Sequence, residues 1–372
     1  MKVNDIKYDC KYFIGEKPCL HKRLCKDCPH YSAYNKKILI IKIGALGDVL
    51  RTTPILHSLK ENYPNAQITW LTDLNAQPLL KNNPYIDRVL SNTFENTILL
   101  QAEEYDYIFN FEKIPYAVAL TNLLKGKIKK GFGLSSWGTS CPLDSASDYA
   151  FELGLDNDLK FHKNKKTYQE ILFDMCGYTY HGDEYILDVK KETNLTRTFG
   201  ELQGSVIGLN TGSGGIFAGK GWTFNAWCLL VKKLTGQFNA TCLLLGGPRE
   251  EKLNGAIIKE VNSNQVINTG SGNSLDEFIS IVDMCDLVVS GDTLGMHIAI
   301  GLKKKIVVLF GATCSQEIDV YGRGVKLQAP GVSCAPCYKS ICDKNEICLQ
   351  GISEDAVFNA IRALLPSLKK TK

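Results

Sequence analysis

The feature that most limits what this chain can become is a unit that recurs along it. An uninterrupted apolar run leads into a turn of glycines and small polar residues, and the turn opens an apolar helix. The first instance is Lys36-Lys37-Ile38-Leu39-Ile40-Ile41-Lys42-Ile43-Gly44-Ala45-Leu46-Gly47-Asp48-Val49-Leu50, and the clearest is Val288-Val289-Ser290-Gly291-Asp292-Thr293-Leu294-Gly295-Met296-His297-Ile298-Ala299. Apolar runs without alternation read as strands buried on both faces, as in parallel sheets whose crossovers are helices. A strand feeding a helix through a polar turn leaves unpaired backbone N–H groups and the positive end of the helix dipole at one sheet edge. Open α/β sheets hold phosphate-bearing ligands there. Asp292 and Thr293 fall in that turn, and His297, in the first helical turns, can come back over the same mouth. A surface turn in which Asp292 and Thr293 only cap the helix satisfies the same local pattern.

At 372 residues the chain exceeds what one core supports, so two domains are expected. A formal net charge of +4 gives no global argument for nucleic-acid binding. The run Lys125-Gly126-Lys127-Ile128-Lys129-Lys130 reads as a basic turn, either a solvated loop or a surface for an anionic acceptor or membrane. No apolar run approaches the roughly 20 residues that span a bilayer, and Met1 to Tyr12 lacks the apolar centre of a secretion signal, so a cytoplasmic protein is expected.

Taken in order, a first domain over residues 36–195 begins with the Lys36 strand. Gly44 and Gly47 permit a tight turn, and Asp48 at the helix entrance is either an N-cap or a catalytic base. The spacing is not Gly-x-Gly-x-x-Gly and lacks the lysine of a phosphate-binding loop. Further strands are expected at Gln67 to Thr72, Arg88 to Leu90 and Tyr107 to Phe111, then an irregular stretch over 131–165 and a helix near Thr167 to Met175. The linker is placed near Lys190 to Gly204. A second domain, 196–352, restarts the pattern: Val206 to Asn210 runs into Thr211-Gly212-Ser213-Gly214-Gly215, with Lys220 just beyond, where backbone and hydroxyl donors and a cation suit a phosphate. Thr241 to Gly247 leads to Glu250 and Glu251, which can accept from ribose hydroxyls or simply begin a helix. Lys305 to Phe310 closes the series before Gly311-Ala312-Thr313. In a parallel sheet these turns share one edge. Residues 353–372 read as a last amphipathic helix, packing back across the domains, and a lysine-rich tail.

Fourteen cysteines are unusual where disulfides rarely persist. Eight form two groups. Cys10, Cys19, Cys25 and Cys28 lie in an N-terminal extension, 1–35, too short to make a core, and could gather around one metal ion or remain unpaired thiols. Cys334, Cys337, Cys342 and Cys348 form a finger over 334–348, where a Cys-x-x-Cys bend and two more thiols complete a tetrahedron. With no position left for water, the metal there would be structural, although the same thiols could also be simply reduced in the cell.

The ordered motifs Lys42 to Pro54, Lys220-Gly221-Trp222, Gly291-Asp292-Thr293 with Met296-His297, and Phe310-Gly311-Ala312-Thr313 resemble those of the ADP-heptose-dependent heptosyltransferases, glycosyltransferase family 9, over roughly residues 36–360. The resemblance implies an α/β GT-B fold, two Rossmann-like doubly wound domains facing a cleft, with the acceptor mainly on the first and the sugar nucleotide mainly on the second. It implies inversion without a catalytic metal, Asp48 as general base and Lys220 stabilising the departing diphosphate together with donors around Thr293. Thr211, Gly212, Ser213, Gly295 and His297 would line the pyrophosphate and heptose pocket, Asp292 would accept heptose hydroxyls, and Glu250 or Glu251 would hold the ribose. Where the family often reads Gly-Leu after Asp-Thr/Ser, this chain has Leu294-Gly295. Related protein-modifying members hold iron at a cysteine finger, so iron and zinc are both open. The expected acceptor is a lipopolysaccharide-core-type glycolipid at the inner face of the cytoplasmic membrane. Serine hydroxyls of a protein are the first alternative and a non-catalytic, metal-stapled nucleotide-binding scaffold the second. Oligomerisation is open, and no nucleic-acid partner is expected.

Overall fold

The computed structural model describes residues 3–15, 19–188, 199, 202–212, 221–345 and 347–366. The chain forms two compact units, one of Met1–Glu152 with Glu170–Asp183, the other of Leu153–Gln169 with Glu184–Lys372. The stretch 153–169 thus belongs to the second unit, and most of the linker expected at 190–204 lies outside the described residues.

The first unit is a six-stranded sheet of order β3-β2-β1-β4-β5-β6. Its strands are β1 (Lys36–Ile41), β2 (Ala66–Thr72), β3 (Arg88–Ser91), β4 (Glu104–Asn110), β5 (Lys125–Leu134) and β6 (Ser140–Pro142), all parallel except the β5–β6 pair. Ile38 to Ile41 have no exposed surface, as an unalternating apolar run demands. The basic run at 125–130 is not a turn. It is the start of β5, paired with β4 through Glu104↔Lys125 and Tyr107↔Ile128. Its lysines find partners at the strand margin, Lys127 on Asp106 at 2.9 Å and Lys129 on the Thr121 carbonyl at 2.9 Å, so a charged sequence is tolerated near a sheet edge.

The second unit repeats the order, β12-β11-β10-β7-β8-β9, all parallel, from β7 (Ser205–Asn210), β8 (Ala240–Leu245), β9 (Val266–Asn268), β10 (Leu287–Gly291), β11 (Lys305–Phe310) and β12 (Gly324–Gln328). Both sheets have the doubly wound Rossmann order, in which the first and fourth strands are neighbours and the crossovers leave in opposite directions. The crevice at their carboxyl ends is the binding position of such sheets. Helix Phe224–Gln237, capped by Thr223, covers one face, its Trp227 meeting Trp222 edge to face at 4.9 Å. The final helix, Glu354–Leu364, packs on it within the same unit. Phe358 lies against Phe238, and Glu354 and Asp355 bind Lys233.

Candidate functional site

In the second unit, the carboxyl ends of β7, β8 and β10 enclose a cavity of about 330 Å³ lined by Asn210, Gly212, Gly246, Gly247, Pro248, Glu250, Ser271, Asn273, Leu275, Phe278, Thr293, Leu294 and Gly295. Its floor is a polar network. Asn210, the polar residue that closes an otherwise apolar strand, donates through Nδ2 to Ser290 Oγ at 2.9 Å and Thr293 Oγ1 at 2.8 Å. Ser290 in turn donates to the Gly291 carbonyl at 2.8 Å. Thr293 is the N-cap of helix Leu294–Gly301 and makes no side-chain cap bond, so its own hydroxyl does not cover the helix's first N–H groups beside the cavity. A Cβ on Gly295 would stand 2.6 Å from Asn210 Nδ2, and one on Gly212 would stand 2.8 Å from Glu250 Cδ. The Gly295 clash falls on an amide held by two hydrogen bonds, so packing requires that glycine, whereas the Gly212 clash falls on the movable end of the Glu250 side chain. The Leu294-Gly295 order puts the glycine where Asn210 needs it.

Glu250 lines the cavity and accepts the Gly247 N–H at 2.9 Å, whereas Glu251, the first residue of helix Glu251–Val261, is exposed outside the cavity. Thr211 is buried, its hydroxyl donated to Asn254 Oδ1 at 2.6 Å, so it braces the loop from beneath and does not line the cavity. His297 is also buried, with Nδ1 3.2 Å from the Tyr185 hydroxyl, and is not a lining residue. Asp292 lies in the turn after β10, partly exposed, next to the lining residue Thr293. Ser213 and Lys220 lie outside the described residues.

In the first unit, Asp48 sits in the first turn of helix Leu46–Thr52 with its side chain about a third exposed (35%). Its Oδ1 is 2.9 Å from Arg51 Nε and its Oδ2 3.9 Å from Lys42 Nζ. Lys42 is itself buried and donates to Glu112 Oε1 at 2.8 Å and to the Gly44 carbonyl at 2.6 Å. The same Glu112 oxygen accepts the Ile43 and Gly44 N–H groups at 2.8 and 3.1 Å. A buried carboxylate thus gathers the loop that leads to Asp48, and two cations orient an accessible one.

Each cysteine group lines a cavity of its own: Cys10, Cys19, Cys25 and Cys28 in the first unit, and Cys334, Cys337, Cys342 and Cys348 in the second. None of the fourteen cysteines forms a disulfide. Among the described residues no three His, Cys, Asp or Glu side chains converge as a single metal ion would require.

The model of glycosyltransferase family 9 (heptosyltransferase) matches residues 99–347, more than half of the chain. The chain belongs to that family. Lipopolysaccharide heptosyltransferase 1 of Campylobacter coli is 22% identical over 349 residues, covering 88% of this chain and 98% of that protein. A family 9 glycosyl transferase of Veillonella parvula shares the fold with a TM-score of 0.70 at 19% identity, covering 89% of this chain and 97% of that one. The dodecameric, iron-containing heptosyltransferase TibC of enterotoxigenic E. coli, solved with ADP-D-β-D-heptose, has a TM-score of 0.55 at 12% identity over 90% of this chain and 77% of its own.

In this heptosyltransferase-family chain, the sequence reading does not single out Asn210, Ser271, Asn273 and Phe278 on the cavity, Ser290 in the network beneath it, or Glu112 beneath the Gly44 loop. Two signals were available. One is a polar residue ending an apolar strand, at Asn210 and at Asn110 just before Glu112. The other is the turn cluster Thr269-Gly270-Ser271-Gly272-Asn273 followed by the capping box of Ser274 and Glu277, which opens helix Leu275–Asp283.

Proposed function

We propose that this family 9 glycosyltransferase moves heptose from ADP-heptose, with inversion, to a hydroxyl of a lipopolysaccharide-core-type glycolipid at the inner face of the cytoplasmic membrane. The observation that carries the donor reading is the 330 Å³ cavity at the first-to-fourth strand crevice of the second unit, with the N-terminus of helix Leu294–Gly301 on one wall and the Glu250 carboxylate on another. The helix N-terminus before Leu294 suits a diphosphate, and a carboxylate suits ribose hydroxyls. ADP-heptose in the TibC structure and the lipopolysaccharide enzyme among the sequence relatives support the same reading. Among the described residues no helix is long and apolar enough to cross a membrane, so contact with a lipid acceptor would be peripheral.

Asp48 is the general base. As the acceptor oxygen attacks the anomeric carbon its proton becomes acidic, and the accessible carboxylate, steadied by Arg51, takes it. The bond to the diphosphate breaks as this one forms. Lys220 and the N–H groups behind Thr293 meet the negative charge that develops on the leaving group. No step uses a metal. Cys334, Cys337, Cys342 and Cys348 line one cavity, Cys337 tied through its N–H to the Ala312 carbonyl at 3.0 Å, and are the residues that would hold a structural iron or zinc once their thiols converge.

The test is transfer from ADP-heptose to a truncated core glycolipid, with a serine-bearing protein as the second acceptor, comparing the native chain with Asp48→Asn. Loss of turnover by about 10²- to 10⁴-fold with donor affinity unchanged is expected. Native-like turnover by the variant refutes the base assignment, and transfer only to protein moves the acceptor to the serine class.

A further inference from the structure

We propose that Glu112 is a positioning residue for the transfer: it takes up the Lys42 ammonium and so leaves Asp48 basic enough to accept the proton of the acceptor hydroxyl. The inference rests on the reading of Asp48 as general base.

Lys42 is the residue after β1 and Glu112 stands two residues after β4. These strands are neighbours, so the two side chains meet at the carboxyl edge between the first and fourth strands of the unit. Both backbones are fixed by the sheet. The Lys42 N–H bonds to the Leu71 carbonyl at 3.2 Å, and the Lys42 carbonyl accepts from Trp70 Nε1 at 3.2 Å. Fully buried Asn110 accepts the Glu112 N–H at 2.9 Å and donates to the Glu112 carbonyl at 3.1 Å. The pair is thus held in place before any substrate arrives.

A buried ammonium needs a carboxylate, and Lys42, its side chain 7% exposed, has two in reach. It takes Glu112. Its Nζ donates to Glu112 Oε1 at 2.8 Å and to the Gly44 carbonyl at 2.6 Å, while Asp48 Oδ2 stands off at 3.9 Å, beyond hydrogen-bond distance. Asp73, a further carboxylate beside the loop, with Oδ2 4.0 Å from where a Cβ on Gly44 would lie, forms no ion pair with Lys42 among the described residues. The consequence falls on Asp48, whose Oδ1 is already 2.9 Å from Arg51 Nε. One cation orients a carboxylate. A second, uncompensated, stabilises its charged form further and weakens it as a base. Glu112 cancels that second charge.

Charge and shape can be separated here. Among the described residues every side-chain bond of Glu112 falls on Oε1, which accepts from Lys42 and from the Ile43 and Gly44 N–H groups. Glu112→Gln can keep that oxygen as an amide carbonyl and lose only the charge, and Lys42 then turns to Asp48. An unbalanced cation about 4 Å away lowers a carboxylate's basicity by about 10- to 1,000-fold. Only part of this is expressed while the proton is part-way transferred, so kcat is expected to fall about tenfold. Acceptor KM and ADP affinity should not change. Glu112→Asp, which keeps the charge but shortens the reach to the N–H groups, should lose less than about threefold.

The experiment is steady-state transfer from ADP-heptose to the acceptor that the native chain uses, with ADP titration and urea unfolding of each variant, in a double-mutant cycle with Asp48→Asn. Because Glu112 acts through Asp48, Glu112→Gln should leave the residual turnover of Asp48→Asn unchanged. An equal loss in both backgrounds would mean damage to the loop and overturn the inference, as would a native-like kcat in Glu112→Gln, or Glu112→Asp slower than Glu112→Gln. Should Glu112→Gln not fold, the same cycle with Glu112→Asp decides: a loss of about tenfold or more, or one that persists beside Asp48→Asn, overturns the inference. Native-like turnover by Asp48→Asn would remove the base reading itself, whereas a slow Asp48→Asn beside a native-like Glu112→Gln removes only the role of Glu112.

Discussion

Gly295→Ala tests whether the cavity of the second unit is built on the Asn210 network. The added methyl would sit 2.6 Å from Asn210 Nδ2 and 3.0 Å from its Cγ, so the amide must move. It cannot move without releasing its bonds to Ser290 and Thr293, both in buried or partly buried surroundings. Two such bonds are worth about 1 kcal/mol each, and leaving a buried donor unpaired costs about another 1 kcal/mol at the low end. Against this, alanine in place of glycine near the start of a helix gains at most about 1 kcal/mol. The net expectation is a loss of about 2 kcal/mol. Because Asn210, Thr293 and Gly295 all face the cavity, ADP affinity should fall about tenfold, equivalent to about 1.4 kcal/mol. The control is Gly255→Ala on helix Glu251–Val261, where a Cβ meets nothing within 4 Å and the position is exposed. That variant should gain about 0.5–1 kcal/mol by propensity alone and leave ADP binding untouched. Urea unfolding and calorimetric titration with ADP read both quantities. If Gly295→Ala matches Gly255→Ala in stability and binds ADP like the native chain, Asn210 is not what holds that wall.

Two further outcomes are expected in the first unit. Glu112→Gln keeps the shape of the side chain but removes the charge that neutralises buried Lys42. Asp48, 3.9 Å away, remains as a weaker partner, so urea unfolding should show a loss near the lower end of the roughly 3–5 kcal/mol for breaking a buried pair. A loss below about 1 kcal/mol would mean that Lys42 is not balanced by Glu112. Glu103 offers a pH test. Burial pushes its carboxyl up, but the bonds from Arg88 at 3.0 Å and Lys37 at 2.6 Å outweigh this and hold it below the usual range. A depressed folded-state value contributes stability that is present above the unfolded carboxylate pKa of about 4.3 and is lost as pH falls through the folded value. The stability advantage of the native chain over Glu103→Gln should therefore be flat at neutral pH and shrink on acidification below about pH 4; an advantage that grows there would contradict the linkage.

How far the sequence could be read follows from which residues meet water. Ile38 to Ile41, Leu243 to Leu245 and Val288–Val289 were visible as strands because both faces of a central parallel strand are buried, and burial leaves an uninterrupted apolar run. Strands at the margins escape that rule: β9 has three residues and ends in Asn268, β12 mixes Gly324, Lys326 and Gln328 with apolar positions, and β5 carries four lysines. The site divides in the same way. Gly212, Thr293 and Gly295 were visible because a turn between strand and helix has recognisable chemistry. Two other questions turned on local geometry that spacing does not carry. Thr211 spends its hydroxyl on Asn254, a helix residue from another part of the chain, and Glu250 faces the cavity only because the helix starts one residue later, at Glu251. The cysteines show the limit most sharply. Spacing identified both sets of four, yet it does not carry whether the thiols converge: among the described residues neither set brings three together as a single ion would require, and turns such as those at Lys22 and Asp27, where non-glycine residues take left-handed conformations, are announced by no periodicity. Spacing therefore names the candidate ligands of a centre, while the folded backbone decides whether they meet.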